Sequence, residues 1–145
     1  MFEPSEEKSR KVHELITQAF GKQIKDPAPY TVVYGYYIKS GILGFGQKTS
    51  SYVIGFSEAL KEIIVIPVNS DVDEVGSPVS LKKDDIISAK FGFQGDLKIK
   101  SSKLNEELRF IVPPYTPTTL ENSYVLTINQ HEEADTFKRF VKDTF

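Results

Sequence analysis

Val12, Leu15, Ile16, Ala19 and Phe20 recur at intervals of three and four, the spacing that lines up one face of an α-helix, so residues 6–20 are predicted as an amphipathic helix. Ser5 stands where an N-cap belongs, Glu6 and Glu7 occupy the first turn where the helix dipole favours anions, and Gly21 is placed to end the helix in a left-handed cap. The stripe predicts packing against the rest of the chain, with self-association as the alternative use of the same face. After residues 22–29, which contain Pro27 and Pro29, the apolar period changes to two. Tyr30, Val32, Tyr34, Tyr36 and Ile38 share one face of a first strand, rich in the aromatic and β-branched residues that suit sheets.

Further strands are expected at residues 52–57 and 63–68, the second nearly all apolar and therefore the most buried. Residues 69–85, with Asp71, Asp73, Glu74, Gly76 and Pro78, are too polar and broken for a regular element and are expected on the surface. Residues 86–93 put Ile87, Ala89, Phe91 and Phe93 on one face. Gln94-Gly95 then turns the chain into residues 96–101, where Leu97 and Ile99 alternate with Lys98 and Lys100. Residues 108–112 and 123–128 complete seven strands, the last two joined by the Pro-rich stretch 113–122. Asn129, three residues before Glu132, offers a capping box for a closing helix whose apolar face is Ala134, Phe137, Phe140 and Val141. Successive short strands without βαβ alternation predict a mainly β fold with helices: a seven-stranded antiparallel barrel or sandwich capped by the C-terminal helix and preceded by the N-terminal one. The chain divides into residues 1–29, helix and linker, and residues 30–145, the barrel with its helix.

Composition narrows the chemistry. In 145 residues, 18 Lys and Arg face 20 Asp and Glu, a net charge of −2 that offers no excess for a nucleic-acid backbone. Cysteine is absent, which excludes disulfides, thiolate metal sites and Cys nucleophiles. The acidic, polar start has neither the basic nor the apolar region of a secretory signal. The longest stretch without Asp, Glu, Lys or Arg, residues 27–38, is 12 long where a membrane span needs about 20, so a cytoplasmic location is expected.

The order of elements resembles the pleckstrin-homology (PH-like) superfold, and in particular small bacterial PH-like domains. The resemblance covers about residues 30–145: the Lys83-Asp84-Asp85-Ile86-Ile87-Ser88-Ala89 entry to a strand, the Gly-turned hairpin into Leu97-Lys98-Ile99, and a terminal helix bearing Phe137, Phe140 and Val141. It implies a bent, partly open barrel that binds lipid headgroups, peptides or proteins. Phosphoinositide binding in that family uses a basic cluster from the first strand into the second, and here the region supplies only Lys39 and Lys48. The three loops at the expected barrel mouth carry one lysine in 40–50, two lysines against five acids in 69–85, and one acid in 113–122, a net of −3. A polyanionic headgroup or an anionic membrane is therefore disfavoured, and a protein or peptide partner is expected.

The family's peptide mode adds a strand beside the fifth strand and against the terminal helix. Residues 96–101 are taken as that fifth strand, where Lys98 and Lys100 either protect an edge or receive an acidic peptide. Ile42, Leu43 and Phe45, in a loop with Gly41, Gly44 and Gly46, are the second candidate contact patch; no Lys-Ser/Thr and no helix follow those glycines, so they are no phosphate loop. His131 and Asp135 lie four apart on the final helix, but two ligands do not make a metal site, and His13 flanks the first helix stripe. Without a Gly-x-Ser-x-Gly elbow, and with the paired carboxylates Asp84-Asp85 and Glu106-Glu107 on polar turns that read as solvated charge, no catalytic residue and no cofactor is expected. A barrel enclosing a small apolar ligand, as in lipocalin- or START-like carriers, is the alternative to a binding module.

Overall fold

The computed structural model describes residues 4–39, 48–116 and 125–145. Its elements are α1 (Glu6–Gln23), β1 (Thr31–Lys39), β2 (Lys48–Ser57), β3 (Glu62–Val68), β4 (Val79–Lys82), β5 (Ile86–Phe91), β6 (Leu97–Ser101), β7 (Leu108–Phe110) and α2 (His131–Thr144). The strands form two antiparallel sheets, one in the order β1-β2-β3-β4 and the other β5-β6-β7. Among the described residues no closed ladder runs round them, so the expected barrel is not seen. Among the described residues the sheets meet through one bridge, in which the backbones of Tyr36 and Ile111 exchange hydrogen bonds of 2.9 and 2.7 Å.

The first sheet is buried on both faces, which explains why β2 and β3 read as apolar runs rather than alternating ones. One face carries Val33, Ile54, Phe56, Ile63, Val65 and Leu81 into a core shared with the second sheet and α2. The opposite face carries Tyr34, Val53, Ile64 and Ile66 against Ile16, Ala19 and Phe20 of α1, with Val125 and Ile128. Tyr30, Val32, Tyr34, Tyr36 and Ile38, the face predicted for the first strand, all lie on this α1 side. Phe20 can approach because residue 55 is glycine; a Cβ there would overlap the Phe20 ring. Gly35 likewise lets the second sheet reach β1, since a Cβ would stand 2.7 Å from Ile54 Cδ1 and 3.2 Å from the Ile111 carbonyl.

Several expectations are corrected. α1 does start on Ser5, whose side chain accepts from the Lys8 amide at 3.3 Å, but it runs through Gly21 to Gln23. It ends in extended backbone at Ile24, whose side chain packs on the α1-side core and whose N–H still reaches the Phe20 carbonyl. The segment expected as surface loop, 69–85, contains β4: Val79 and Leu81 alternate with Ser80 and Lys82, and Leu81 is buried against Ile63. The strand expected at 123–128 falls partly outside the described residues, and 125–128 is not a strand. Thr116 instead holds that segment, donating from Oγ1 to the Leu126 carbonyl at 2.7 Å and accepting from the Ile128 amide at 2.8 Å. The common face expected for Ile87, Ala89, Phe91 and Phe93 is split by a bulge between Ile86 and Ser88. An extra residue reverses side-chain direction, so Ala89 and Phe91 face the core while Ile87 is 73% exposed; Phe93 is 106% exposed because it lies beyond β5 in the turn into β6.

α2 begins one residue later than the Asn129 capping box would place it. Gln130 occupies the cap position without a side-chain cap bond, because its amide is used elsewhere. Gln130 Oε1 accepts from the Tyr34 amide at 2.9 Å, and Nε2 donates to the Tyr34 and Pro113 carbonyls at 2.8 and 2.9 Å. This side chain continues the edge of β1 where the backbone of Ile111 leaves off. Asn129 is also engaged through its backbone: its amide donates to Ser9 Oγ at 2.9 Å, and its carbonyl accepts from His13 Nε2 at 2.8 Å, so α1 is tied to the start of α2.

Candidate functional site

A groove of about 580 Å³ lies between the open end of the second sheet and the first half of α2. Phe91 from β5, Leu97 from β6, and Ile111 and Val112 beyond β7 form one wall; Ala134 and Phe137 of α2 form the other. Gln94, His131, Glu132, Asp135 and Lys138 ring the opening. The apolar walls follow from the alternation in β5 and β6, which directs Phe91 and Leu97 inward as a cross-strand pair. The chain leaving β7 is directed past α2 by Pro113, whose carbonyl is held by Gln130, and by Pro114, whose carbonyl accepts from the Gln130 amide at 2.7 Å. Tyr115 packs on His131 with ring centroids 5.6 Å apart.

β5 borders the groove and, among the described residues, pairs on one side only, with β6. Its other edge presents backbone amides and carbonyls, and Ile87 and Phe93 stand exposed near its two ends. Counting β4 makes β5, not residues 96–101, the fifth strand of the chain. β6 is the centre of its sheet, so Lys98 and Lys100 lie on an outer sheet face and not along an edge. Ile42, Leu43 and Phe45 lie outside the described residues.

The register sets Lys90, Lys98 and Arg109 directly opposite one another across β5, β6 and β7, with Lys100 one rung away beside Ser88. Arg109 is the anchored member: its Nε bonds Asp96 Oδ2 at 2.5 Å and its guanidinium lies 4.9 Å above the Tyr37 ring. Burial pushes the Asp96 carboxyl up, but the hydrogen bond and charge of Arg109, a backbone amide and the charge of Lys98 outweigh it and hold the group below the usual carboxylate range.

Other displaced groups belong to the framework. Glu62 is buried and accepts from the hydroxyls of Tyr30 and Ser80, joining the chain before β1 to β4. Desolvation first, then the hydrogen bond and charge of Glu62, push the Tyr30 phenol up to about 12. Burial raises Tyr34 as well, although its hydroxyl contacts Ser51 Oγ at 2.8 Å and accepts from the Leu126 amide. Among the described residues no three His, Asp or Glu side chains converge to hold a metal, and no helix is long and apolar enough to cross a membrane.

The groove was missed in the sequence because its walls come from four separate segments, each of which reads locally as ordinary core. Pro113-Pro114 directly after an apolar strand is the signal that could have marked it, since two prolines cannot continue a sheet ladder. The chain matches no family model, no curated protein and no solved structure.

Proposed function

We propose that this chain is a non-catalytic, PH-like binding module that takes an extended peptide or protein segment as an added strand along β5, with alternate side chains entering the groove beside α2. The observation that carries the reading is the edge of β5, unpaired among the described residues, next to an apolar groove walled by a helix. Main-chain pairing then supplies affinity, and the groove supplies selectivity. The resemblance to PH-like domains supports the same location, because their peptide mode uses the fifth strand and the terminal helix. The displaced pKa values support a non-catalytic role: Tyr30, Tyr34, Asp96 and Arg109 are each occupied in joining strands to their neighbours.

An apolar-ligand carrier has less support. Phe56, Phe110, Phe137 and Phe140 fill the space between the sheets, with Phe56 centred 5.3 Å from Phe137 and 5.2 Å from Phe140. The binding reading is tested by panning a random peptide library on the protein and mapping amide exchange in the complex. Selected peptides should protect residues 86–91. Asp135→Trp, which fills the groove mouth from an exposed position, should weaken them at least about tenfold, the equivalent of about 1.4 kcal/mol. Protection elsewhere, with Asp135→Trp binding normally, would refute the site. Gel filtration of the same protein separates a second copy of the chain from a foreign segment as the occupant.

A further inference from the structure

Lys90, Lys98 and Arg109 are consecutive neighbours across three strands, on the face of the sheet turned away from the core. Directly opposed residues have Cβ atoms about 4.5–5.5 Å apart, and like charges in that relation destabilise a sheet. The compensating acids engage Arg109 and Lys98, although Asp96 also reaches toward Gly92 at the end of β5, where a Cβ would stand 2.5 Å from its Oδ1. Asp96 bonds Arg109 and also acts on Lys98, and Glu107 acts on Arg109. Among the described residues no carboxylate forms an ion pair with Lys90, which is exposed on the free edge of β5. The row is therefore electrically incomplete at the position where an added strand would lie.

Resting on the strand-addition reading, we infer that the bound segment carries Asp or Glu opposite Lys90 and apolar residues on either side of it. The alternation follows from the pleat. Lys90 points outward, while its neighbours Ala89 and Phe91 point to the core, so a residue paired beside Phe91 turns toward the groove lined by Phe91, Leu97 and Phe137 and one beside Ala89 turns to the same core face. An acidic side chain opposite Lys90 extends the row with the opposite sign. The partner class is thus an extended segment in which acidic and apolar residues alternate, which the overall charge of −2 conceals.

The test uses three labelled synthetic peptides in which Val and Phe alternate with Glu, with Ser or with Lys, titrated against the full chain by fluorescence anisotropy at low salt. The Glu peptide should bind about fivefold tighter than the Ser peptide, the scale of one favourable cross-strand charge pair, and the Lys peptide weakest. Lys90→Glu should invert the order, and added salt should compress it. Amide exchange locates the complexes. Equal binding of all three with residues 86–91 protected would overturn the charge inference and leave strand addition standing. A Glu preference that survives Lys90→Glu would overturn the inference alone; protection away from β5, or failure of all three to bind, would overturn the site with it.

Discussion

Replacing Gln130 tests how the groove is held in place. Gln130 is fully buried, and its amide is the partner of three backbone groups: the Tyr34 N–H, the Tyr34 carbonyl and the Pro113 carbonyl. Gln130→Leu keeps most of the volume and leaves all three unpaired in a site that water does not reach. A buried polar group deprived of its partner costs about 1–3 kcal/mol, so the variant should lose about 3–5 kcal/mol after some relaxation. Set against a total of about 5–15 kcal/mol for a domain, that is a large share. Urea unfolding followed by circular dichroism measures it directly, provided the slope with denaturant is unchanged. Gln130→Glu refines the test. The ionised carboxylate can still accept from the Tyr34 amide but cannot donate to the two carbonyls, so its folded pKa is raised. A raised pKa means that the stability is present below about pH 4, where the unfolded carboxyl is protonated, and lost as pH rises through the folded value. The gap between Gln130→Glu and the parent should therefore narrow in acid. A loss below about 1 kcal/mol for Gln130→Leu, or a gap that widens in acid, would refute the claim that this amide completes the β1 edge.

Two further outcomes follow from the packing. Gly55→Ala sets a methyl group into the Phe20 ring and should cost about 1–3 kcal/mol, with α1 loosened, detectable as faster amide exchange over residues 6–23 and a lower Tm; an unchanged melt would show that Phe20 does not seat on β2. Tyr30 should ionise at about 12, and Tyr30→Phe should remove one late phase from the phenolate absorbance titration. Because that pKa is raised, its contribution to stability is whole below about pH 10 and lost as pH rises through about 12; a titration complete by about pH 11 would contradict the Tyr30–Glu62 contact.

Much of the architecture was legible because it rests on local patterns. The α1 stripe apart from Leu15, which is exposed, the Ser5 cap, the aromatic face of β1, the buried run of β3 and the Phe137–Val141 face of α2 each follow from local pattern within a few residues. β4 was missed because four residues leave little periodicity to read and acidic neighbours mask them. The split face of β5 was missed because a bulge breaks the very alternation used to find strands.

The amino-acid sequence by itself determined α1, β1–β3 and α2 with their apolar faces, the absence of cysteine chemistry and a charge too balanced to favour a polyanion. Only the tertiary structure decided which strand stands at an edge, that Lys98 lies at the centre of a sheet between Lys90 and Arg109, and that the amide of Gln130 serves β1 rather than its own helix. The difference is physical. Periodicity records which side of an element is shielded from water, whereas strand order and cross-strand register depend on pairing between segments far apart in the chain, and the groove exists only where four of those segments meet.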